Sequence, residues 1–283
     1  MPPRSNPTAR QRRLGAELRK LREAAGLSTE QAAAVLATDR TVITSTEAGR
    51  TGVSQERVRR LACNYECVDE ELTDALVRMA ADRTRGWWED YRGVLPPTFP
   101  DIAELEWFAT ALRIATITHI PGQLQTEAFA RALFDASIPP LPADERDARI
   151  AHRVRRIQMI TRPDAPAYTA VVHEAALRME VGGRKVLREQ LQLILAMADR
   201  DNVTVQAIPF SAGAIPGSGQ SILYAAGEVP DLDTVVLDRT TAGEFLHLDG
   251  QLRKYRLHLD RMQDIALSPV QTRDLIRSIV HQL

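Results

Sequence analysis

The sequence predicts two structural classes along one chain: an all-α N-terminal domain containing a helix-turn-helix, followed by an α/β domain in which helices flank a mixed sheet. Apolar residues in the first seventy positions recur at the three- and four-residue spacing of helices. Beyond residue 166, several segments are short, apolar and β-branched, which is typical of strands. We therefore predict a first domain over 1–70 and a second over 71–283, with linker helices over 71–118.

Four short helices are predicted within the first domain. The first has an apolar face made of Leu14, Leu18, Leu21 and Ala25. Ser28 begins a capping box for the second helix, whose inward side is predicted to consist of Ala32, Ala33, Val35 and Leu36. Asp39 is the expected N-cap of the third helix, over 40–48, and Ser54 that of the fourth. The short turn between the second and third helices is typical of a helix-turn-helix.

Charge is divided unevenly along the chain. The first 65 residues hold twelve basic and six acidic side chains, a net charge of +6, and the remaining 218 residues carry −7. A basic head on an acidic body fits a protein in which one domain binds a polyanion and the other does not. A solvated helix face would give the same composition, so the charge alone is weak support.

The run from Leu14 to Tyr65 contains five segments of one known pattern, namely Leu18-Arg19, Leu21-Arg22, Gly26-Leu27-Ser28, Ile43 and Glu47-Ala48-Gly49-Arg50. On these segments it resembles the Xre/Cro/C1-type helix-turn-helix family, in which the third helix lies in the major groove of DNA. The resemblance implies a DNA-binding set that comprises Thr29, Arg40, Thr41, Thr44, Ser45 and Arg50. In it, Arg40, Thr41 and Thr44 would face bases, whereas Thr29 and Arg50 would hold the DNA backbone. We expect Arg40 to contribute most, because a guanidinium can bridge O6 and N7 of guanine.

The third helix departs from that pattern in its charge. The family often has basic residues where this chain has Val42, Ser45 and Ala48, and an apolar residue where it has Thr46. Fewer cations mean fewer phosphate contacts and a shallower salt dependence. A helix-turn-helix used for protein contact is therefore the alternative interpretation.

The second domain is predicted to start with a helix over Ile102–Thr118. Its inward residues have helical spacing and are Leu105, Phe108, Ala109, Leu112 and Ala115. Five strands follow, at Ala167–His173, Val203–Phe210, Ser221–Ala225, Thr234–Leu237 and Glu244–Leu248. Further helices are predicted over Gly183–Arg200, over Gln251–Ala266 and from Val270 onward.

Two clusters in this domain are each open to two interpretations. A charged helix from Ala143 to about Thr161 puts three cations near one face, Arg149, Arg153 and Arg156. They could bind an anion, but a solvated face is the favoured interpretation. The aromatic residues within 87–91 could stack on bases, but packing between a linker helix and the next domain is favoured.

Five further segments occur together and in a fixed order. They are Trp87-Trp88, Ile120-Pro121-Gly122-Gln123-Leu124-Gln125-Thr126, His173-Glu174-Ala175-Ala176-Leu177, Ile208-Pro209-Phe210-Ser211-Ala212-Gly213 and Ala266-Leu267-Ser268-Pro269. This set is similar to the large C-terminal domain of actinobacterial regulators of the WhiJ and Scr antitoxin-like type, although Gln123 stands where leucine is usual. The resemblance implies a transcription regulator of development or secondary metabolism. It also implies a small protein partner, encoded nearby, in a toxin–antitoxin-like pair.

No catalytic, cofactor-binding or metal-binding residues are predicted. Cys63 and Cys67 lack further ligands nearby and are interpreted as reduced thiols. His173-Glu174 accompanies no known catalytic pattern, and Glu174 is expected to cap the helix that follows. The glycine-rich run Gly213–Ser221 lacks the lysine of a phosphate-binding loop.

Three hypotheses about function remain. The leading one is a homodimeric, cytoplasmic regulator that binds operator DNA and senses an effector or a small protein partner. The second is an antitoxin-like interaction module in which DNA binding is secondary. The third is an enzyme with a DNA-targeting head. We predict no membrane span, because the sequence contains no run of eighteen apolar residues.

Overall fold

The computed structural model describes residues 6–217, 220–238 and 243–283, and its contacts divide the chain into two compact units. The N-terminal unit comprises Met1–Gly86 and the short segment Glu228–Leu232, and the C-terminal unit comprises Trp87–Gly227 and Asp233–Leu283. The first unit thus extends beyond residue 70, where the sequence predicts the boundary. The reason is that the helix after residue 70 packs into the N-terminal core.

The N-terminal unit is all-α, as predicted. Its helices are α1 Ala9–Ala24, α2 Thr29–Val35, α3 Arg40–Glu47, α4 Gln55–Asn64 and α5 Glu70–Ala81. The capping box at Ser28 is confirmed, and the Ser54 hydroxyl accepts a hydrogen bond from the Arg57 amide at the start of α4. Asp39 occupies the N-cap position of α3, but its side chain makes no capping hydrogen bond.

One face of each helix fills the N-terminal core. Leu18, Ile43, Val58 and Leu76 are almost completely buried there. Ala32, Ala33 and Leu36 are buried as predicted, but the prediction for Val35 was wrong, because this side chain is half exposed. At 3.6 residues per turn, Val35 lies roughly 100° around α2 from the centre of the face that the other three form.

Six strands of the described residues form one mixed sheet in the C-terminal unit. They are β1 Ala111–Thr116, β2 Ala167–His173, β3 Val203–Ile208, β4 Ile222–Ala226, β5 Thr234–Leu237 and β6 Glu244–Leu246. Their order across the sheet is β3-β2-β1-β4-β5-β6. β1 pairs with β2, and β2 with β3, in parallel, whereas the pairs on the other side of β1 are antiparallel. The predicted α/β class and the five predicted strands are confirmed.

The helix predicted over Ile102–Thr118 was wrong in its second half. The helix α6 Thr98–Phe108 ends there, and β1 begins at Ala111 in the middle of the sheet. Leu112 lies in the core on one face of this strand and Ala115 in the core on the other, so β1 shows no strict alternation of polar and apolar residues. A short apolar run of this kind cannot be distinguished from a buried helix by its spacing.

Helices cover both faces of the sheet. The helices after α6 are α7 Glu127–Asp135, α8 Ala143–Arg155, α9 Gln158–Thr161, α10 Glu174–Arg178, α11 Arg184–Met197, α12 Asp249–Asp264 and α13 Pro269–Gln282. Leu191 of α11 and Ile276 of α13 pack on one face, and Leu252 and Leu259 of α12 on the other. The charged helix predicted from Ala143 is therefore interrupted after Arg155. No helix of the described residues is long and apolar enough to cross a membrane.

One local prediction in this unit was wrong. His173, and not Glu174, caps α10: its Nδ1 accepts a hydrogen bond from the Ala175 amide at 3.1 Å. The Glu174 carboxylate instead pairs with Arg178 and accepts a hydrogen bond from the Phe210 amide. The aromatic cluster packs within the C-terminal unit, where Trp88 is fully buried, so this ring cannot stack on a base.

Candidate nucleic-acid interface

The end of α3 docks on α1 with backbone against backbone. A methyl group added at Gly15 of α1 would lie 2.4 Å from the carbonyl oxygen of Glu47 and 2.7 Å from that of Thr46. Gly49 follows α3 with a φ of +72°, and a methyl group there would lie 2.7 Å from the carbonyl oxygen of Gln11. Glycine is thus required at both positions, at Gly49 also for its left-handed conformation. This close approach fixes the direction in which α3 points.

A buried ion pair fixes α3 a second time. Arg22 Nε donates to Glu47 Oε1 at 2.6 Å and Nη2 donates to Oε2 at 3.0 Å, and both side chains are less than one tenth exposed. Arg22 Nη1 also donates to the Leu27 carbonyl oxygen at 2.6 Å. The hydrogen bond to Glu47 is the main cause that raises the pKa of Arg22. The sequence contains both residues in the family pattern but does not reveal this role.

Thr46 illustrates how a departure from the family pattern is accommodated. Its side chain is buried, and its hydroxyl donates to the Val42 carbonyl oxygen at 2.8 Å. A buried hydroxyl that makes a hydrogen bond carries little net penalty. The substitution of an apolar residue by Thr46 therefore leaves the packing of α3 intact.

The structure places the three predicted base-facing residues on the exposed side of α3. Arg40, Thr41 and Thr44 are exposed, and Ser45 is half-buried beside them. The Thr44 hydroxyl donates back to the Thr41 carbonyl oxygen at 3.1 Å, so it must turn away from the backbone to contact a base. Arg50 is exposed in the loop after α3, where its amide donates to the Ser45 carbonyl oxygen at 2.9 Å.

Glu30 of α2 is a feature of this surface that sequence reasoning missed. Its carboxylate forms an ion pair with Arg40, whose Nε lies 2.9 Å from Oε1, and accepts a hydrogen bond from the Thr29 hydroxyl at 3.1 Å. The pKa of Glu30 is lowered, mainly by its own backbone amide and then by the Thr29 hydroxyl, with a smaller contribution from Arg40. The closest contact of the ion pair is at Nε of Arg40, so both Nη groups remain to bridge a guanine. Glu30 also places a negative charge beside the residues expected to meet DNA.

Several basic side chains of the N-terminal unit form ion pairs with acidic side chains of the same unit. Arg19 pairs with Glu23 at 2.7 Å and Arg59 pairs with Asp74 at 2.9 Å, both on the surface. Arg13 pairs with Glu17 in the interior. In the described part of the chain, Arg50 and Arg57 make no ion pair. The cations available for phosphate are therefore fewer than the sequence count indicates.

The candidate metal-binding groups form no site among the described residues. No cluster of three or more histidine, cysteine or acidic side chains is arranged to hold a metal ion within 6–217, 220–238 and 243–283. Cys63 is exposed and Cys67 half-buried, and both are free thiols. The glycine-rich run Gly213–Ser221 lies partly outside the described residues.

Comparison with known protein families gives two matches. Residues 13–76 match a family model described as a helix-turn-helix domain, which supports a DNA-binding regulator. Residues 99–278 match a model described as a domain of unknown function (DUF5753). No curated protein and no solved structure matches the chain.

Proposed function

The chain belongs to the family described as a domain of unknown function (DUF5753), and from its N-terminal geometry we propose that it is a sequence-specific transcription regulator whose C-terminal domain binds an effector or a small protein partner. The match to a helix-turn-helix domain supports the DNA-binding part of this proposal. The resemblance of the body to WhiJ and Scr antitoxin-like regulators supports the second part. We further propose a homodimer, because operators with two-fold symmetry are read by symmetric pairs of such helices.

The observation that carries the proposal is the exposed face of α3. Arg40, Thr41 and Thr44 stand on a helix whose direction is fixed by the contact at Gly15 and by the buried Arg22–Glu47 pair. Base readout requires side chains that are held within a fraction of an ångström of a productive position. A rigidly docked helix with an exposed guanidinium and two hydroxyl groups meets that requirement.

Selection from a random duplex library tests the proposal. We expect the full-length protein to enrich one motif, and to bind it with a dissociation constant that rises with salt concentration along a shallow slope, because α3 offers few cations to phosphate. The motif should contain a guanine in each half-site and should have two-fold symmetry if the protein acts as a dimer. Sedimentation of the protein on the selected duplex gives the stoichiometry. Failure to enrich any motif, with weak binding to every duplex, would contradict the regulator proposal.

One observation favours the second candidate, an antitoxin-like interaction module. Arg40 is the single basic residue in α3, and Glu30 already pairs with it. A reading helix with one cation makes few phosphate contacts, so its contribution to affinity is small. If selection fails and the protein instead forms a stable complex with the product of a neighbouring gene, this second candidate replaces the first.

A further inference from the structure

A polar cluster lies in the interior of the C-terminal unit, where the end of α8 meets the segment 120–126. Two arginines of α8 and its end, Arg153 and Arg156, both pack against Gly122. A methyl group added at Gly122 would lie 2.5 Å from Arg156 Nη1 and 3.2 Å from Arg153 Cδ. The interpretation of this helix face as solvated was therefore wrong for these two side chains. The segment 120–126, which contains Gly122 and two glutamines, packs against both side chains.

Arg156 is paired but keeps one free donor. Its Nε donates to Glu106 Oε2 at 3.1 Å and its Nη2 donates to Glu106 Oε1, and Glu106 is completely buried. Gln123 Nε2 donates to the same carboxylate at 2.5 Å, and Gln123 Oε1 accepts from the Tyr168 hydroxyl at 3.3 Å. Nη1 of Arg156 makes no hydrogen bond to any described residue. The Arg156 side chain is 12% exposed, so this N–H group beside Gly122 can donate to a ligand.

Arg153 has no carboxylate partner among the described residues. Its Nη1 donates to a neutral acceptor, Gln125 Oε1, at 3.0 Å, and its guanidinium lies 5.2 Å from the centre of the Phe134 ring. Its Nε is buried without a hydrogen-bond partner. Burial, and then the like charge of Arg156, lower the pKa of Arg153 to about 10. Nη2 makes no hydrogen bond to any described residue, and the side chain is half-buried, so this group too can donate to a ligand.

The two guanidinium groups of Arg153 and Arg156 have only one carboxylate, that of Glu106, in direct contact among the described residues. Glu106 is engaged by Arg156 and Gln123. Asp238 attracts both arginines, but at a longer range than an ion pair, and its side chain is exposed. Arg149, the third cation of this face, is neutralised by Glu145 at 3.0 Å. An enclosed cation without a counter-charge is costly unless a partner arrives.

We propose that Arg153 and Arg156 bind a small anion, a carboxylate or a phosphate carried by the effector of the C-terminal domain. Arginine suits both groups, because its N–H donors form charge-assisted hydrogen bonds with planar and tetrahedral oxyanions. The accessible donors are Arg153 Nη2 and Arg156 Nη1, on the two side chains that flank Gly122. The role of the anion as an effector rests on the proposed function, whereas the binding site itself does not.

Thermal unfolding of the full-length protein with two probe anions tests the site. Inorganic phosphate and acetate are titrated against sodium chloride at matched ionic strength. We expect one of them to raise the Tm in a saturable manner, and which one does so distinguishes a phosphate from a carboxylate ligand. Arg153→Gln should abolish this rise, whereas Arg149→Gln, one turn earlier on α8, should preserve it. A rise no larger than that in chloride, or a rise that Arg153→Gln retains, would overturn the proposal.

A second variant tests the site without any ligand. Arg153→Met removes a desolvated cation that has no carboxylate partner and keeps an apolar chain against Phe134. We expect its Tm without added anion to equal or exceed that of the wild type, because the cation costs stability until it is bound. A marked fall in Tm would assign Arg153 a structural role and contradict the site. If the wild type shows no anion-dependent stabilisation but binds its DNA motif, the anion site is wrong and the regulator proposal stands. If the wild type is stabilised by the anion but selects no DNA motif, the regulator proposal is wrong and the anion site stands.

Discussion

Removal of the Glu47 carboxylate should lower the unfolding free energy of the N-terminal unit far more than removal of an exposed charge does. Glu47→Ala leaves Arg22 buried, with Nε and Nη2 deprived of their acceptors at 2.6 and 3.0 Å and with only the Leu27 carbonyl oxygen still bonded at full strength. Breaking a buried pair in this manner costs about 3–5 kcal/mol. Glu23, 3.5 Å from Arg22 and half exposed, offsets a part. We therefore expect a loss of about 3 kcal/mol.

Hydrogen exchange measured by mass spectrometry on the full-length protein provides the assay, because it reports the N-terminal unit separately. A loss of about 3 kcal/mol corresponds to roughly hundredfold faster exchange of the amides in α1 and α3. Arg19→Ala is the control, since it breaks an exposed ion pair in the same helix α1 and should change stability by less than about 1 kcal/mol. Equal protection in the two variants would refute the argument that the buried pair holds α3.

Three further predictions follow from particular contacts. Gly15→Ala should destabilise the N-terminal unit by about 1–3 kcal/mol, because its methyl group would overlap a carbonyl oxygen of α3; hydrogen exchange of α3 measures this loss. Glu30→Gln should raise the affinity for every DNA sequence, most at low salt, because it removes a negative charge beside Arg40; fluorescence anisotropy measures it. His152→Phe should weaken the loss of stability in acid, which urea unfolding followed by tryptophan fluorescence measures at pH 7 and pH 5.

The sign of the last effect follows from the pKa of His152. Burial, and then the charges of Arg156 and Arg153, lower this pKa to about 3. The unfolded chain takes up the proton near pH 6.5, so the unfolding free energy of the wild type falls as the pH decreases from 6.5 towards 3. The contribution of this group at pH 5 is a loss of about 2 kcal/mol. All three tryptophans lie in the C-terminal unit, so their fluorescence follows its unfolding.

Each of these three predictions has an outcome that contradicts it. Gly250→Ala, at a position of α12 with open space around it, is the control for Gly15→Ala, and equal effects would show that crowding is not the cause. An unchanged affinity of Glu30→Gln at low salt would show that its charge lies away from DNA. An identical dependence of stability on pH in wild type and His152→Phe would show that this histidine does not titrate on unfolding.

Features that depend on neighbouring residues were predicted well from the sequence. Ser28 and Ser54 cap their helices as expected, because a cap is a contact between residues two or three positions apart. The same locality explains why the order of helices and strands was nearly correct. The strand β1 was missed because its place in the centre of the sheet, which determines its conformation, is set by partners far away in the sequence.

The features that were missed join distant residues. Arg22 and Glu47 are 25 positions apart, and Arg156 and Glu106 are 50 positions apart. In the sequence, nothing distinguishes these four residues from other charged residues. Only the fold brings the partners together and excludes water from them. The exposed set on α3 could be proposed from the sequence because it lies on one helix, whereas Glu30 lies on another. A contact between helices leaves no periodic signal in a single sequence.

The most direct test of the central claim compares how well two variants discriminate between DNA sequences. Fluorescence anisotropy gives the ratio of dissociation constants for the selected duplex and a scrambled duplex at one salt concentration. Arg40→Ala should reduce this ratio by about tenfold or more, as expected for the loss of a bidentate contact with a base. Arg59→Ala removes the same charge from the surface of α4 and should leave the ratio unchanged. Equal ratios in wild type and Arg40→Ala would contradict readout of DNA by α3.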